Sequence, residues 1–517
     1  MLLLLSLCLL QARDRADAPT AELSTALSAP AGVRVSVWSP PGALTAPRSL
    51  DADLAGRLWV LEHSRGSRLV VFEDGDADGT AEKQRVALAL PDTRSAGTIA
   101  VLGERVHATL DGQLVEFRDA DGDGMFEGAQ AIWEHQDSRD VSGALASAPN
   151  ARLWLARAAP AHGLIVGAYD SAPQLGLQLP WGAPRELAFD SFGNLFASFE
   201  RELHVLVPGA DGSAASAGAW TLGGADLRGL IVYEGTLVPG IEGCVLVADA
   251  SGRVLRLAPR SSGAGITFEV STWLAAPAEG PGADFRPVDI AVGSDGAVFV
   301  LDAAASGARV LRVSAAGGRI ALPRMSLTVT NGQIAALLNP SPNLRARAFE
   351  LLAPQCDALL KQLQGMLTPR YPRWQARVTW LLARGGAGAR AKLREQLSSE
   401  HENARLVTLR ALASVDEPAA ELARRFVGDP ALALRAEALR CLAKTPWEAK
   451  GELVLRLSAP WPADDAVFLD ALACACGADA SALLAALDVE LAKPGASLNA
   501  AARAQIAARL ARGTTSK

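Results

Sequence analysis

The chain has 517 residues, half of them apolar and 21% charged, which is too long for one core at roughly 100 to 200 residues per domain and too apolar for wholesale disorder. The net charge of −6 is split unevenly: residues 1–324 hold 26 Lys and Arg against 38 Asp and Glu, and residues 325–517 hold 24 against 18. This implies an acidic unit followed by a mildly basic one, and neither has the cationic density that binding a phosphate backbone needs, which speaks against nucleic acid as a partner.

The first ten residues, MLLLLSLCLL, have the length of an export signal and fall far short of the roughly 20 residues of a membrane span. Residues 1–18 therefore read as a signal-like segment, and the protein as exported to the periplasm or cell surface. Cys8 would allow a lipid anchor, although Leu7 stands where a small residue should precede a lipidated cysteine. No other stretch reads as a span. The remaining cysteines, Cys244, Cys356, Cys441, Cys474 and Cys476, have neither metal nor disulfide spacing. No CxxCH occurs, so covalently attached haem is not expected. Cys474 and Cys476 read as small buried helix residues.

Between residues 30 and 325 a short apolar strand follows a turn signal six times, at 56–60 (GRLWV), 104–108 (ERVHA), 150–155 (NARLWL), 193–197 (GNLFA), 243–247 (GCVLV) and 296–300 (GAVFV). Aligning Trp59, His107, Trp154, Phe196, Val247 and Phe299 gives intervals of 48, 47, 42, 51 and 52 residues, each the length of one four-stranded blade. The pattern predicts a six-bladed β-propeller. An isolated strand at 33–38 is expected to pair with the last blade and close the ring, which removes an open edge. Trp59, Trp154, Phe196 and Phe299 are expected to fill the wedges between blades.

From residue 333 to 517 the pattern turns helical. Leu-Ala pairs recur at 352–353, 382–383, 412–413, 442–443 and 472–473, and a period of 30 fits two short helices and two turns. The segments 339–343 (NPSPN), Asp429-Pro430 and Thr445-Pro446 carry helix starts. The expectation is a HEAT-like α-solenoid of about five 30-residue repeats, which offers a long surface to a protein partner. Arg345, Arg347, Arg377, Arg405, Arg410, Arg435 and Arg440 recur along it. They read as solvated or inter-repeat ion pairs before they read as receptors for a partner's carboxylates.

The clearest chemistry lies in two acidic loops, Asp74-x-Asp76-x-Asp78-Gly79 and Asp119-x-Asp121-x-Asp123-Gly124-x-x-Glu127, 45 residues apart. Alternate carboxylates in a tight loop, turned by a glycine at the sixth position, can wrap a hard cation such as Ca²⁺. Neither loop has the acid at position twelve that a helix-flanked calcium loop uses; Arg85 and Gln130 stand there. Solvated Asp/Gly turns are the alternative, but two copies at one blade period favour a structural Ca²⁺ that would stiffen a hairpin, the second loop more so because Glu127 adds a ligand. Of six histidines, His63 and His162 are the ones placed to face the channel.

Residues 72–79 (FEDGDADG), 119–124 (DADGDG), 188–196 (AFDSFGNLF) and 285–296 (FRPVDIAVGSDG) resemble the membrane-bound-dehydrogenase-type propellers of planctomycete-type bacteria, which are distantly similar to soluble quinoprotein sugar dehydrogenases. The resemblance covers roughly residues 30–315. It implies a sugar or alcohol dehydrogenase that uses pyrroloquinoline quinone (PQQ), and it makes Arg286 and Asp289, on the inner strand of the sixth blade, candidates to meet a small-molecule or glycan ligand in the channel. The family's CxxCH cytochrome is missing, Val141-Ser142-Gly143-Ala144-Leu145 replaces its His-Gly approach in the third blade, and Leu301-Asp302-Ala303-Ala304-Ala305 stands where it has Asp-x-Tyr-Arg. A dehydrogenase needs a base and an electron acceptor. With those positions altered, the reading is an exported binding or scaffold protein, and the alternative is a quinoprotein-like dehydrogenase that passes electrons to a separate carrier.

Overall fold

A computed structural model describes residues 27–514, apart from 41, 77, 91, 119–125, 127, 134–142, 159–162, 169–177, 180–183, 209–213, 223–225, 318–324 and 416. The described strands form six antiparallel four-stranded sheets. After β1 (Val33–Val37), the first sheet is β2 (Pro47–Ala52), β3 (Leu58–His63), β4 (Ser67–Glu73) and β5 (Lys83–Leu90). The second is β6 (Ala96–Leu102), β7 (Arg105–Leu110), β8 (Gln113–Arg118) and β9 (Ala129–Trp133). The third is β10 (Ala144–Ser147), β11 (Leu153–Ala158), β12 (Gly163–Ala168) and β13 (Gln178–Leu179). The fourth is β14 (Glu186–Phe189), β15 (Leu195–Ser198), β16 (Glu202–Pro208) and β17 (Ala214–Thr221). The fifth is β18 (Leu227–Tyr233), β19 (Cys244–Asp249), β20 (Arg253–Ser262) and β21 (Gly265–Ala275).

These five sheets each use four consecutive strands, whereas the sixth is composite. β22 (Pro287–Val292), β23 (Val298–Asp302) and β24 (Arg309–Ala315) are completed by β1, with Val33 opposite Ala315 and Val37 opposite Leu311. The first strands of the sheets, β2, β6, β10, β14, β18 and β22, pack on one another in cyclic order, so the fold is a β-propeller. Large apolar side chains fill the wedges. Trp59 lies between the first and second sheets, Phe196 between the fourth and fifth, and Phe299 between the sixth and first; Trp154 is only partly buried between the third and fourth. Trp38, just past β1, meets Phe72 and Phe299 edge-on and locks the composite sheet against its neighbour.

Twelve α-helices follow among the described residues. They are α1 (Thr330–Leu337), α2 (Pro342–Leu352), α3 (Leu360–Gln364), α4 (Pro372–Ala383), α5 (Ala387–Gln396), α6 (Glu402–Ala413), α7 (Ala419–Arg424), α8 (Leu432–Cys441), α9 (Trp447–Ser458), α10 (Ala466–Cys476), α11 (Ala480–Leu491) and α12 (Ala500–Thr514). The 30-residue period has a structural meaning. Leu352, Leu382, Leu412, Leu442 and Leu472 are all buried, in or at the end of α2, α4, α6, α8 and α10, and α4, α6, α8 and α10 stack in that order. Pro342 and Pro372 sit at helix starts, where a missing N–H costs nothing.

Residues Ala466–Leu491 have the length and apolarity to cross a membrane, which corrects the expectation that no stretch of the chain does. Gly477, at φ 53°, breaks that stretch into two helices. Phe468, Leu472, Leu483 and Leu487 of these helices belong to the helical core.

The helical region is docked on the propeller face formed by the turns that leave the inner strands. Glu234, just past β18, has a fully buried carboxylate that receives the Ser191 N–H at 2.8 Å and the Ser191 hydroxyl at 2.6 Å. Arg377 of α4 lies 3.2 Å from it and Arg345 of α2 lies 3.4 Å from it. Trp380 donates its indole N–H to the Ser191 carbonyl at 3.0 Å. Gly193, at φ +87°, leaves room for that ring, since a Cβ there would lie 2.9 Å from it. Farther out, Arg410 of α6 donates to the Phe192 carbonyl and the Asn194 side chain, and Asp465, the N-cap of α10, accepts the Ala264 N–H.

The arginine series is thus spent inside the chain. Arg345, Arg377 and Arg410 reach the propeller, Arg405 pairs with Asp429, Arg440 with Glu437 and Arg347 with Glu350, and Arg435 donates to the Leu457 and Ala459 carbonyls. Replacing Glu234 by Gln removes the only carboxylate between Arg345 and Arg377 while keeping its shape. Stability measured by denaturant unfolding should fall by about 3–5 kcal/mol, the cost of orphaning buried charge.

Candidate functional site

The inner strands pose a backbone problem, because one edge of each has no strand beside it. Side chains of the neighbouring sheet solve it. Asp289 of β22 accepts the Leu50 N–H at 2.8 Å with one carboxylate oxygen and the Ile290 N–H at 2.8 Å with the other. Ser49 accepts the Ile99 N–H at 3.1 Å, and Asp51 accepts the Val101 N–H at 2.7 Å and the Ala52 N–H at 2.8 Å. Close approach at the axis also needs glycine: a Cβ on Gly229 would lie 2.5 Å from the Asp289 Cα.

Three carboxylates therefore crowd the channel, Asp51, Asp289 and Glu186. Asp289 is buried, whereas Asp51 and Glu186 keep some exposure inside the protein wall. Burial pushes Asp51 up to about 7, with the charges of Asp289 and Asp53 adding to it against two backbone hydrogen bonds. Burial pushes Asp289 up to about 6 against its hydrogen bonds from Ser49, Leu50 and Ile290. Glu186 is raised well above the ordinary range by burial and by Asp289. Asp190, beneath the docked helices, is raised to about 6 by burial and by Glu234. Glu234 goes the other way: burial alone would raise it, but Arg377 and Arg345 hold it at about 2.

At the other end of the ring, opposite the helical region, an acidic residue at or just past the end of a second strand repeatedly clasps the segment entering the inner strand. Glu62 accepts the Ala46 N–H, Asp111 the Arg94 and Ser95 N–H groups, Asp249 the Asp226 N–H and Asp302 the Arg286 N–H. Three of these acids also hold an arginine, Arg68, Arg253 and Arg309 respectively, at 2.5, 2.6 and 2.8 Å.

The sequence-predicted channel residues fall within this frame. Arg286 contributes its backbone to the clasp and leaves its side chain exposed. His63 closes β3 at the same mouth, with its ring 3.0 Å from the Ser67 hydroxyl. Among the described residues neither side chain pairs with a channel carboxylate. Asp289 braces the neighbouring strand. His162 lies outside the described residues.

The first acidic loop is the turn between β4 and β5, on the helix-covered side but at the outer edge. One oxygen each of Asp74, Asp76, Asp78 and Glu82 lies within 4.8 Å of all the others. The loop is tied by its own backbone: Asp78 N–H donates to Asp74 and Asp76 at 3.0 Å, Gly79 N–H to Asp74 at 2.8 Å and Gly75 N–H to Glu82 at 2.7 Å. Burial, Glu82 and Asp78 raise the Asp74 carboxyl. Four carboxylates in this arrangement fit a hard cation. Glu82, at position nine, supplies the closing acid that Arg85 at position twelve does not. The second loop, Asp119, Asp121, Asp123 and Glu127, lies outside the described residues.

No protein-family profile matches the chain, and no curated protein does. Solved structures show the likeness of the propeller alone. The PQQ domain of a pyranose dehydrogenase from Coprinopsis cinerea is 15% identical over 57% of this chain and 98% of that one, with a TM-score of 0.40. A calcium structure of a family AA12 carbohydrate-active enzyme from Trichoderma reesei is 12% identical over 58% and 99%, at 0.42. Virginiamycin B lyase from Staphylococcus aureus is 11% identical over 55% and 99%, at 0.36. The propeller is distantly similar in structure to PQQ-dependent sugar-dehydrogenase-like domains and, at a lower score, to a lyase.

The raised carboxyls carry a definite sign. A carboxyl whose folded-state value lies above its ordinary value adds stability at low pH, and that stability is lost as pH rises through the folded value. Asp51, Asp289 and Asp190 place this loss between about pH 4 and 7. Glu234 is depressed, so its contribution is present above about pH 4.5 and lost toward pH 2. Resistance to urea should therefore be greater at pH 5 than at pH 8. Asp51→Asn should shrink that slope, at most by about 1.4 kcal/mol per pH unit for one proton, even though it also loses an acceptor.

Proposed function

We propose that this chain is an exported binding and scaffold protein, a six-bladed propeller braced by HEAT-like helical hairpins, that takes a small-molecule or glycan ligand in its channel and does not oxidise sugars. The observation that carries this reading is how the channel acids are used. Asp51 and Asp289 are engaged by backbone N–H groups, and a third carboxylate, Glu186, shares the same space. A quinone that itself carries carboxylates needs cationic partners in such a channel. The described inner strands offer it these carboxylates; of their two arginines, Arg228 is already paired with Asp226 at 2.9 Å and Arg48 is exposed at the start of β2, so these residues do not fit PQQ, and no hydride-transfer step is built on them.

Calcium fits better, at the outer loop. Asp74, Asp76, Asp78 and Glu82 would hold the ion, which would stiffen the β4–β5 hairpin and supply no chemistry of its own. The surface of the helical hairpins turned away from the propeller is where a protein partner would dock, because the propeller-facing arginines already have partners.

Calorimetric titration of chelator-treated protein, first with Ca²⁺ and then with PQQ, followed by dye reduction on aldoses, tests the reading. Calcium uptake weakened about tenfold or more by Asp78→Asn or Glu82→Gln, with no quinone uptake and no dye reduction, is expected. Quinone binding accompanied by dye reduction would replace this reading with the dehydrogenase.

A further inference from the structure

The end of the connection between α1 and α2 and the first two residues of α2, residues 339–343 (NPSPN), run across the channel axis. Asn339 donates to the Ser294 carbonyl of the sixth sheet at 3.0 Å. Asn343 donates to the Ala52 carbonyl of the first sheet at 3.0 Å and accepts the Gly103 N–H of the second at 2.7 Å. Pro340 lies against Gly235 of the fifth, where an added Cβ would stand 3.0 Å from its own. One turn farther on, Ala346 packs with Leu102 of the second sheet and with Leu145 and Leu153 of the third. Arg377, which also donates to the Leu338 carbonyl at 2.7 Å, ties this assembly to Ser191 of the fourth sheet. A short segment can touch turns from opposite sides of a ring only by crossing its centre.

The segment is also sealed from water. Asn339, Ser341 and Asn343 are 1–3% exposed. The Ser341 N–H is held by the Asn339 side chain at 2.8 Å, and the Ser341 hydroxyl is buried with no hydrogen-bond partner among the described residues.

We infer that residues 339–343 are a fixed stopper and the helical region a base plate. The propeller channel is therefore blind at this end, and any ligand enters and leaves by the opposite mouth, where Arg286 and His63 stand. The placement explains why polar, proline-bracketed residues occupy a buried position. The Asn339 and Asn343 side chains imitate the peptide groups that the turns of three separate sheets leave unpaired, and the prolines fix the backbone between them. It holds whether or not the channel is catalytic, and its test requires no ligand.

The test is maleimide labelling of the full-length Ser341→Cys variant in native buffer. The unsubstituted chain, whose described native cysteines are buried apart from the half-buried Cys441, serves as background, and Arg286→Cys at the open mouth as the accessible control. A fixed stopper makes Ser341→Cys react at least about thirtyfold more slowly than Arg286→Cys. A smaller ratio means that the segment opens and overturns the inference. Combining Ser341→Cys with Glu234→Gln should raise its labelling about tenfold or more if the buried ion cluster seats the stopper, and an unchanged rate would remove the cluster from that role. Hydrogen exchange of the unsubstituted protein gives a reading free of any folding defect. The Ser341 and Gly103 amides should exchange as slowly as those of β23, and exchange at surface-loop rates would overturn the stopper.

Discussion

The unpaired edge of each inner strand is the constraint on which the rest of the channel depends. A blade meander leaves its first strand bonded on one side only, and the other side faces the axis without a strand partner. Oxygen atoms borrowed from the adjacent sheet satisfy those N–H groups, through Asp289 to Leu50, Asp51 to Val101 and Ser49 to Ile99. The same bonds couple neighbouring blades, so ring closure and channel polarity have one cause. Carboxylates serve well because each offers two acceptor oxygens, and bringing them together under protein cover raises Asp51, Asp289 and Glu186.

Charge is handled differently at the base of the ring. Glu234 is fully buried and stays ionised because Arg345, Arg373 and Arg377 of the helical region and two donors from Ser191 surround it. Without the helices that carboxylate would face the end of the channel alone, and without the carboxylate Arg377, which is 3% exposed, would be stranded in the interface. Neither half satisfies its buried polar groups by itself. That is a stronger bond between domains than apolar area alone provides, because separation exposes groups that have no second arrangement.

The regular parts of this architecture were legible in the sequence. The 42- to 52-residue recurrence around Trp59 and its equivalents marks the sheets, the strand at 33–38 pairs where an open edge requires it, and the 30-residue Leu-Ala period marks every second helix. These are local patterns repeated along the chain. What stayed hidden is what depends on long-range juxtaposition. Glu234 and Arg377 are 143 residues apart, and nothing near either one announces the other. Asp289 reads as a channel ligand until the Leu50 N–H is seen to occupy it. Glu82 was legible in principle, as an acid three residues past Gly79, but a position-twelve template looks past it. The segment 339–343 reads as a helix start, which it is; that the same residues lie across a ring of sheets is written only in the fold.

A propeller outline does not by itself fix the chemistry it serves, so the discriminating quantity is the state of the channel acids. Asp51, at about 7, is poised near neutrality. An uncharged ligand that displaces water from around it deepens its burial and draws a proton in, whereas a cationic ligand holds it ionised and drives the proton out. Ligand occupancy and protonation are therefore one linked equilibrium, and the sign of the proton exchanged on binding identifies the charge class of whatever the channel holds.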